Sequence, residues 1–296
     1  MMVKEKLVSK QYRKRSRAGE VWHRLRKNKG AMAGLAIIII LALIAIFADV
    51  LVDYDTDVIG MTLKDRLQHP SKAHIMGTDD LGRDIFARLI YGSRFSLSVG
   101  VVAVAIAVVV GVILGAFAGY YTGGIVEDII MRFTDIFAAV PNMLMAIVIV
   151  AALGANTLNL MISVGVTSIP QFVRTTRAAV LTVTGQEYIE SARAIGESET
   201  KIIFKHILPN CLSPIIVRVT LRVSSAIISA SSLSFLGLGV PAPAPEWGSM
   251  LSSGRAYLRG YSYMTLFPGL AIMITVLAFN MVGDGLRDAL DPKLKK

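Results

Sequence analysis

Asp79, Asp80 and Asp84 lie close enough in the sequence to mimic a cation site or to serve a membrane-bound enzyme. Gly77 and Gly82 frame them, which points to a turn followed by a polar helix start rather than a metal site. The four histidines, His23, His69, His74 and His206, are scattered, and no H-x-x-x-H or C-x-x-C spacing occurs. Cys211 stands alone, which excludes a disulfide framework within the chain and reads as a small packing residue. Gly196-Glu197-Ser198-Glu199-Thr200-Lys201 faintly resembles a phosphate-binding loop. That motif needs a second Gly where Thr200 stands and Ser or Thr where Ile202 stands. The expectation is no catalytic residue, no metal site and no cofactor held by this chain.

The elements that carry these residues are apolar. Of 296 residues 54% are hydrophobic and 18% charged, against about 25% charged in a soluble domain. Phe95 to Val126 is 32 residues without Asp, Glu, Lys or Arg, Ile136 to Val173 is 38, and Gly260 to Gly283 is 24. A spanning helix needs roughly 20 such residues. A soluble enzyme and a disordered chain are excluded, and barrel strands would alternate over about 10 residues. The expected fold is all-α and polytopic, with six transmembrane helices: Ala31–Val52, Phe95–Gly119, Phe133–Leu153, Leu158–Leu181, one within Ser213–Leu236 and one within Tyr263–Val282. Around them lie a basic tail (1–30), an outer loop (53–94), a five-helix domain (95–284) and a C-terminal tail (285–296).

Charge sets the orientation. The first 30 residues hold 11 of the 31 Lys and Arg, Lys4, Lys6, Lys10, Arg13, Lys14 and Arg15 among them. Directly before an apolar run, such a segment reads as a cytoplasmic flank rather than a nucleic-acid arm or a cleavable signal. With the N-terminus inside, 23 Lys and Arg fall on cytoplasmic segments and 8 outside. Both termini are therefore expected in the cytoplasm of a multi-pass protein of the cell (inner) membrane. Arg174, Arg177, Arg218 and Arg222 lie near span ends, where snorkelling to the interface explains them, and Asp135 reads the same way. Pro141 and Pro170 are expected to kink their spans. Gly111, Gly115 and Gly119 recur every four residues, a face for close helix packing and expected to seek a partner chain.

The longest inner segment between spans is 185–210. Glu187 to Ile195 reads as a short helix, with Glu187 and Glu190 at the positive end of its dipole. Tyr188, Ala192 and Ile195 form its expected apolar stripe. Gly196 offers a left-handed stop, Ser198 a cap for a second helix beginning at Glu199, and Pro209 its end. Such an elbow either rests on lipid headgroups or docks a cytoplasmic partner.

Glu190-Ser191-Ala192-x-x-x-Gly196, followed after nine residues by His206-x-Leu208-Pro209, resembles the EAA motif of ABC-importer permeases, E-A-A-x-x-x-G then I-x-L-P. Ser191 and His206 depart from it mildly. Four further segments are similar to the C-type subunit of peptide/nickel-type permeases. They are Trp22–Lys29, Gly77-Thr78-Asp79-Asp80-Leu81-Gly82-Arg83-Asp84, Ser234–Val240, and Gly283-Asp284-Gly285-Leu286-Arg287-Asp288-Ala289-Leu290-Asp291-Pro292. The resemblance implies a type I ABC importer permease fold with the transmembrane domain at 95–284. It implies a pathway shared with a second permease chain for dipeptides or oligopeptides, two ATPase subunits holding ATP and Mg, and an extracytoplasmic binding protein. The coupling surface it implies comprises Glu187, Tyr188, Glu190, Ser191, Ala192, Arg193, Ile195, Gly196, Leu208 and Pro209. A nickel-chelate importer of the same family, a membrane-embedded enzyme, and a channel or carrier acting alone are the alternatives.

Overall fold

The computed structural model describes residues 17–291, and within them the chain is helical, with one isolated bridge between Thr78 and Asp84 and no strand. Lys4 to Arg15 and Pro292 lie outside the described residues. The short α1 (Arg17–Leu25) leads into α2 (Lys29–Ile46), whose first turn is capped by Asn28 Oδ1, accepting from Ala31 N at 3.1 Å. α3 (Ile85–Tyr120) follows the outer loop, and α4 (Ile125–Ala139), α5 (Asn142–Leu153), α6 (Thr157–Val166) and α7 (Ile169–Thr184) come next. The elbow helix α8 (Glu187–Ala194) precedes α9 (Leu212–Phe235), α10 (Trp247–Gly254) and α11 (Tyr263–Leu290).

α3 is the central post: α2, α6, α7 and α9 pack along it, and α11 packs on α2 and α9. Close approach between α3 and α7 depends on the glycine row. A methyl group at Gly111 would sit 2.5 Å from Phe172 Cβ, at Gly115 2.6 Å from the Val173 carbonyl oxygen, and at Gly119 2.7 Å from Val180 Cβ. The face expected to seek a partner chain is thus filled by α7 of the same chain. Val99, Ala103, Val104 and Ala107 of α3 meet Leu160, Val164 and Phe172 on one side and Val223, Ala226 and Ile227 on the other. α2 instead leaves Ile39, Ile40 and Leu43 about half exposed, which suits lipid rather than water.

Two of the expected spans are not single helices. Among the described residues four helices (α2, α3, α9 and α11) are each long and apolar enough to cross a membrane, and the bent pair α4 and α5 makes a fifth if it is counted as one span. That pair turns by 92° at the break holding Pro141, which removes a backbone donor, so the run Phe133–Leu153 is not one straight helix. The run Leu158–Leu181 is likewise two helices, α6 and α7, with Pro170 in the first turn of α7. α3 begins at Ile85, within the stretch expected as the outer loop (53–94), and α11 continues to Leu290, into the expected tail 285–296.

Three of the four arginines expected to snorkel are paired within the chain. Arg222 is 8% exposed, and its Nε and Nη2 donate to Ser168 Oγ at 2.9 and 2.8 Å, at the break between α6 and α7. Arg177 Nε donates to Glu127 at 2.6 Å and Arg174 to Asp135 at 2.7 Å, tying α7 to α4. In the outer loop Asp79 is buried against Arg83 at 2.7 Å, while Asp84 accepts from Ala87 N at 3.0 Å as the cap of α3 and meets His74 at 2.8 Å. These acidic residues hold a turn and a helix start together. Tyr263 Oη, donating to the Gln68 carbonyl at 2.8 Å, anchors the loop to α11.

Candidate functional site

The elbow is built between the C-terminal end of α7 and the N-terminal end of α9. Gln186 starts α8 without a side-chain cap, and Glu187 and Glu190 occupy the first turn, where negative charge opposes the helix dipole. Ser191 Oγ donates to the Glu187 carbonyl at 2.9 Å and remains at the surface. The helix stops on a reciprocal pair of bonds. Glu197 N donates to the Ala192 carbonyl at 3.1 Å and Gly196 N to that of Arg193 at 3.0 Å, with Gly196 at φ +78°. Nothing lies within 4 Å of a Cβ placed on Gly196, so the requirement there is conformational and not steric.

Beyond Gly196 the chain does not form a single helix ended by Pro209. Ser198 sits at the cap position without accepting a side-chain bond, and one α-turn (Glu199–Lys201) passes into a turn of π-helix (Ile202–Ile207). A 3₁₀ turn (Leu208–Asn210) that contains Pro209 then leads to α9. This irregular path turns Ile202, Ile203 and Ile207 to the same side as Ile189, Ala192, Cys211 and Ile215, against Ala116 of α3 and Val180 of α7. The apolar face of α8 is therefore Ile189 and Ala192. Tyr188 and Ile195, expected in that stripe, point outward at 44% and 81% exposure. Helical spacing allows either register in so short a helix; Ile189 makes the buried one.

What remains on the outer side is a row of Glu187, Tyr188, Glu190, Ser191, Arg193 and Ile195, all exposed. Leu208 is half-buried and Pro209 exposed, both at the far end of the elbow. Arg193 stacks its guanidinium 5.0 Å from the Tyr120 ring, and Tyr121 Oη donates to Glu199, so the end of α3 braces both halves. Glu197 joins Lys201 and His206, each at 2.7 Å. Lys201, then His206, hold its carboxyl below the usual carboxylate range against the opposing effect of burial. Cys211 lies in the elbow's underside, where burial pushes its thiol up to about 11 and leaves it unreactive. Ile189, Tyr120, Tyr121 and the Glu197 group carry no motif signal. Only the fold brings them to the expected coupling residues. Among the described residues no group of three His, Cys, Asp or Glu is placed to hold a metal ion.

An elbow pinned by an apolar underside and showing an acidic and apolar outer row can transmit force from a partner to α7 and α9. Residues 107–296 match the binding-protein-dependent transport system inner membrane component family, and residues 16–70 match the N-terminal transmembrane domain of oligopeptide transport permease C. The dipeptide transport system permease protein DppC of Alkalihalophilus pseudofirmus is 48% identical over 93% of this chain and 90% of its own length. The glutathione transport system permease protein GsiD of Escherichia coli is 47% identical over 93% of this chain and 90% of its own. DppC of Haemophilus influenzae is 42% identical over 94% of this chain and 95% of its own. A solved MetNI methionine ABC transporter chain superposes with a TM-score of 0.57 over 69% of this chain and 96% of its own, at 18% identity, and so shares the fold. With its bent central spans, its EAA-like elbow and these matches, the chain belongs to the binding-protein-dependent transport system inner membrane components, the permease subunits of ABC importers.

Proposed function

We propose that this permease imports short peptides, with dipeptides as the leading substrate class. The observation that carries the reading is the braced elbow with its outward row. It is joined to a chain whose relatives at 48% and 42% identity are named for dipeptide transport. A second permease chain completes the pathway. Two ATPase subunits hold ATP and Mg, and each permease chain seats its elbow in a groove on one of them. Glu187 and Glu190 meet basic groups of that groove, and Tyr188 and Ile195 fill its apolar floor. An extracytoplasmic binding protein delivers the peptide at the face bearing the outer loop. Both termini lie in the cytoplasm, supported by the 23 to 8 division of Lys and Arg.

The test is purification of the tagged chain from its native membrane, followed by reconstitution. Co-purification of two ATPase subunits and a second permease, with ATP-dependent uptake of labelled dialanine in the presence of the binding protein, is the expected result. A chain that purifies alone and transports without ATP overturns it. Cysteines introduced at Lys72 and Thr200 in a Cys211→Ala background check orientation in intact cells. An impermeant thiol reagent should label the first and spare the second.

A further inference from the structure

An open cavity of about 520 Å³ borders the inner half of α9, and its wall carries Arg218 and Arg287 beside the hydroxyls of Thr175 and Ser213. Asp291 stands at its rim. Arg218 Nε is buried and has no hydrogen-bond partner, and neither guanidinium takes part in an ion pair among the described residues. Planar guanidinium groups bind carboxylate and phosphate oxygens two at a time.

The helix supplies a second, independent observation. Arg218, Leu221, Ser225, Ser229 and Ser232 follow one another at helical spacing, and all are half-exposed on the surface of the chain. Ser229 Oγ donates to the Ser225 carbonyl at 2.9 Å and Ser232 Oγ to that of Ile228 at 2.8 Å, so each hydroxyl has its proton engaged and can act only as an acceptor. The row runs about 21 Å along the axis. Arg218 and the three serines share this face with Leu221 and Ile228, and an ionisable side chain on a spanning helix turns toward water or a partner rather than lipid.

We propose that this row of α9 lines the substrate path and that Arg218, with Arg287, forms a station for the C-terminal carboxylate of the peptide at the inner mouth. The inference rests on the peptide-import reading. The carboxylate pairs with the guanidinium groups of Arg218 and Arg287 at the cavity wall, while the serines accept hydrogen bonds from the peptide N–H groups and the terminal ammonium. A phosphate of an anionic lipid shares the same chemistry, and the test separates the two sources.

The complete complex, with both permeases, the ATPases and the binding protein, is reconstituted in liposomes with and without phosphatidylglycerol. Uptake of labelled dialanine is compared with that of its C-terminal amide for wild type, Arg218→Gln and Arg218→Lys. Any preference of the binding protein is common to all three proteins and cancels in the ratio. The expected result is that Arg218→Gln lowers dialanine uptake about tenfold relative to the amide, with Arg218→Lys in between, whatever the lipid. An equal fall for both compounds overturns the station. An equal fall that disappears without phosphatidylglycerol assigns the cavity to lipid instead. Wild-type failure to take up either compound overturns the peptide reading itself.

A second measurement needs neither transport nor the binding protein. Ser229→Cys in the Cys211→Ala complex should react with a hydrophilic thiol reagent, should be protected by dialanine, and should lose that protection in Arg218→Gln. Ser229→Cys as unreactive as a cysteine at the lipid-facing Ile39 overturns the path assignment.

Discussion

His206 Nε2 lies 2.7 Å from a carboxylate oxygen of Glu197, across the π-helical turn that links α8 to α9. Lys201 takes the other oxygen, also at 2.7 Å. The carboxyl is held below the usual range first by Lys201, and this bond outweighs the effect of burial. A depressed carboxylate stabilises the fold at pH above its unfolded value and loses that contribution as pH falls through its folded value. Protection factors of the amides at Ile202–Ile207, corrected for the intrinsic slowing of exchange in acid, should therefore fall as pH drops below about 4.3. In Glu197→Gln this acid-dependent loss of protection should largely vanish, with lower protection already at neutral pH. Identical pH profiles for the two proteins would remove the role given to Glu197.

Gly115 tests the α3–α7 seam. A Cβ there meets the Val173 carbonyl oxygen at 2.6 Å and Thr176 Cβ at 2.7 Å, both parts of a buried helix that cannot swing aside. Overpacking of this kind costs typically about 1–3 kcal/mol. Gly115→Leu should lower the thermal stability of this chain even when it is expressed without a second permease. Gly260→Ala, where the space is open, should not. Normal stability of Gly115→Leu, with a loss only of assembly, would place the face against another chain.

Arg222 and Ser168 join α9 to the break between α6 and α7. Ser168 is fully buried, and its Oγ is the acceptor for two guanidinium donors. Ser168→Ala strands those donors in a dry site, at a cost of about 1–3 kcal/mol. Arg222→Met in the same background should recover part of that loss, since removing both partners leaves nothing unpaired. Thermal unfolding of the solubilised complex reads both changes. A double variant that falls by the sum of the singles would show that the two residues act separately.

The helices and the Gly196 stop were legible in the sequence because apolarity and glycine report directly on lipid exposure and on positive φ. Asp84 was legible as a helix start for the same local reason. The 92° turn at Pro141 was expected only as a kink, because an apolar run records what surrounds a segment and not where it points. Arg222 could not be told from a snorkelling arginine, since its acceptor lies 54 residues away along the chain. Ile189 and Tyr188 are neighbours on a helix of 8 residues, too short for periodicity to decide which one is buried. Packing against Ala116 and Val180 decides it.

Gly196 carries the last prediction. Its φ of +78° closes α8 through the bonds Glu197 N to Ala192 and Gly196 N to Arg193, and this fixes the angle between the outward row and the buried turn that follows. Open space around it means that a side chain there meets no neighbour and only the backbone is strained. A left-handed conformation costs an ordinary residue about 1 kcal/mol or more, a β-branched residue is worse placed still, and Asn tolerates it. Gly196→Val should therefore keep normal abundance in the membrane while uptake and substrate-stimulated ATP hydrolysis in proteoliposomes both fall several-fold, about the effect of 1 kcal/mol. Gly196→Asn should stay near wild type, and Glu190→Ala, which removes one exposed charge, should do less harm than Gly196→Val. A helix that only rests on lipid would show no such order. Wild-type uptake by Gly196→Val at normal abundance would end the case for this elbow as the coupling element.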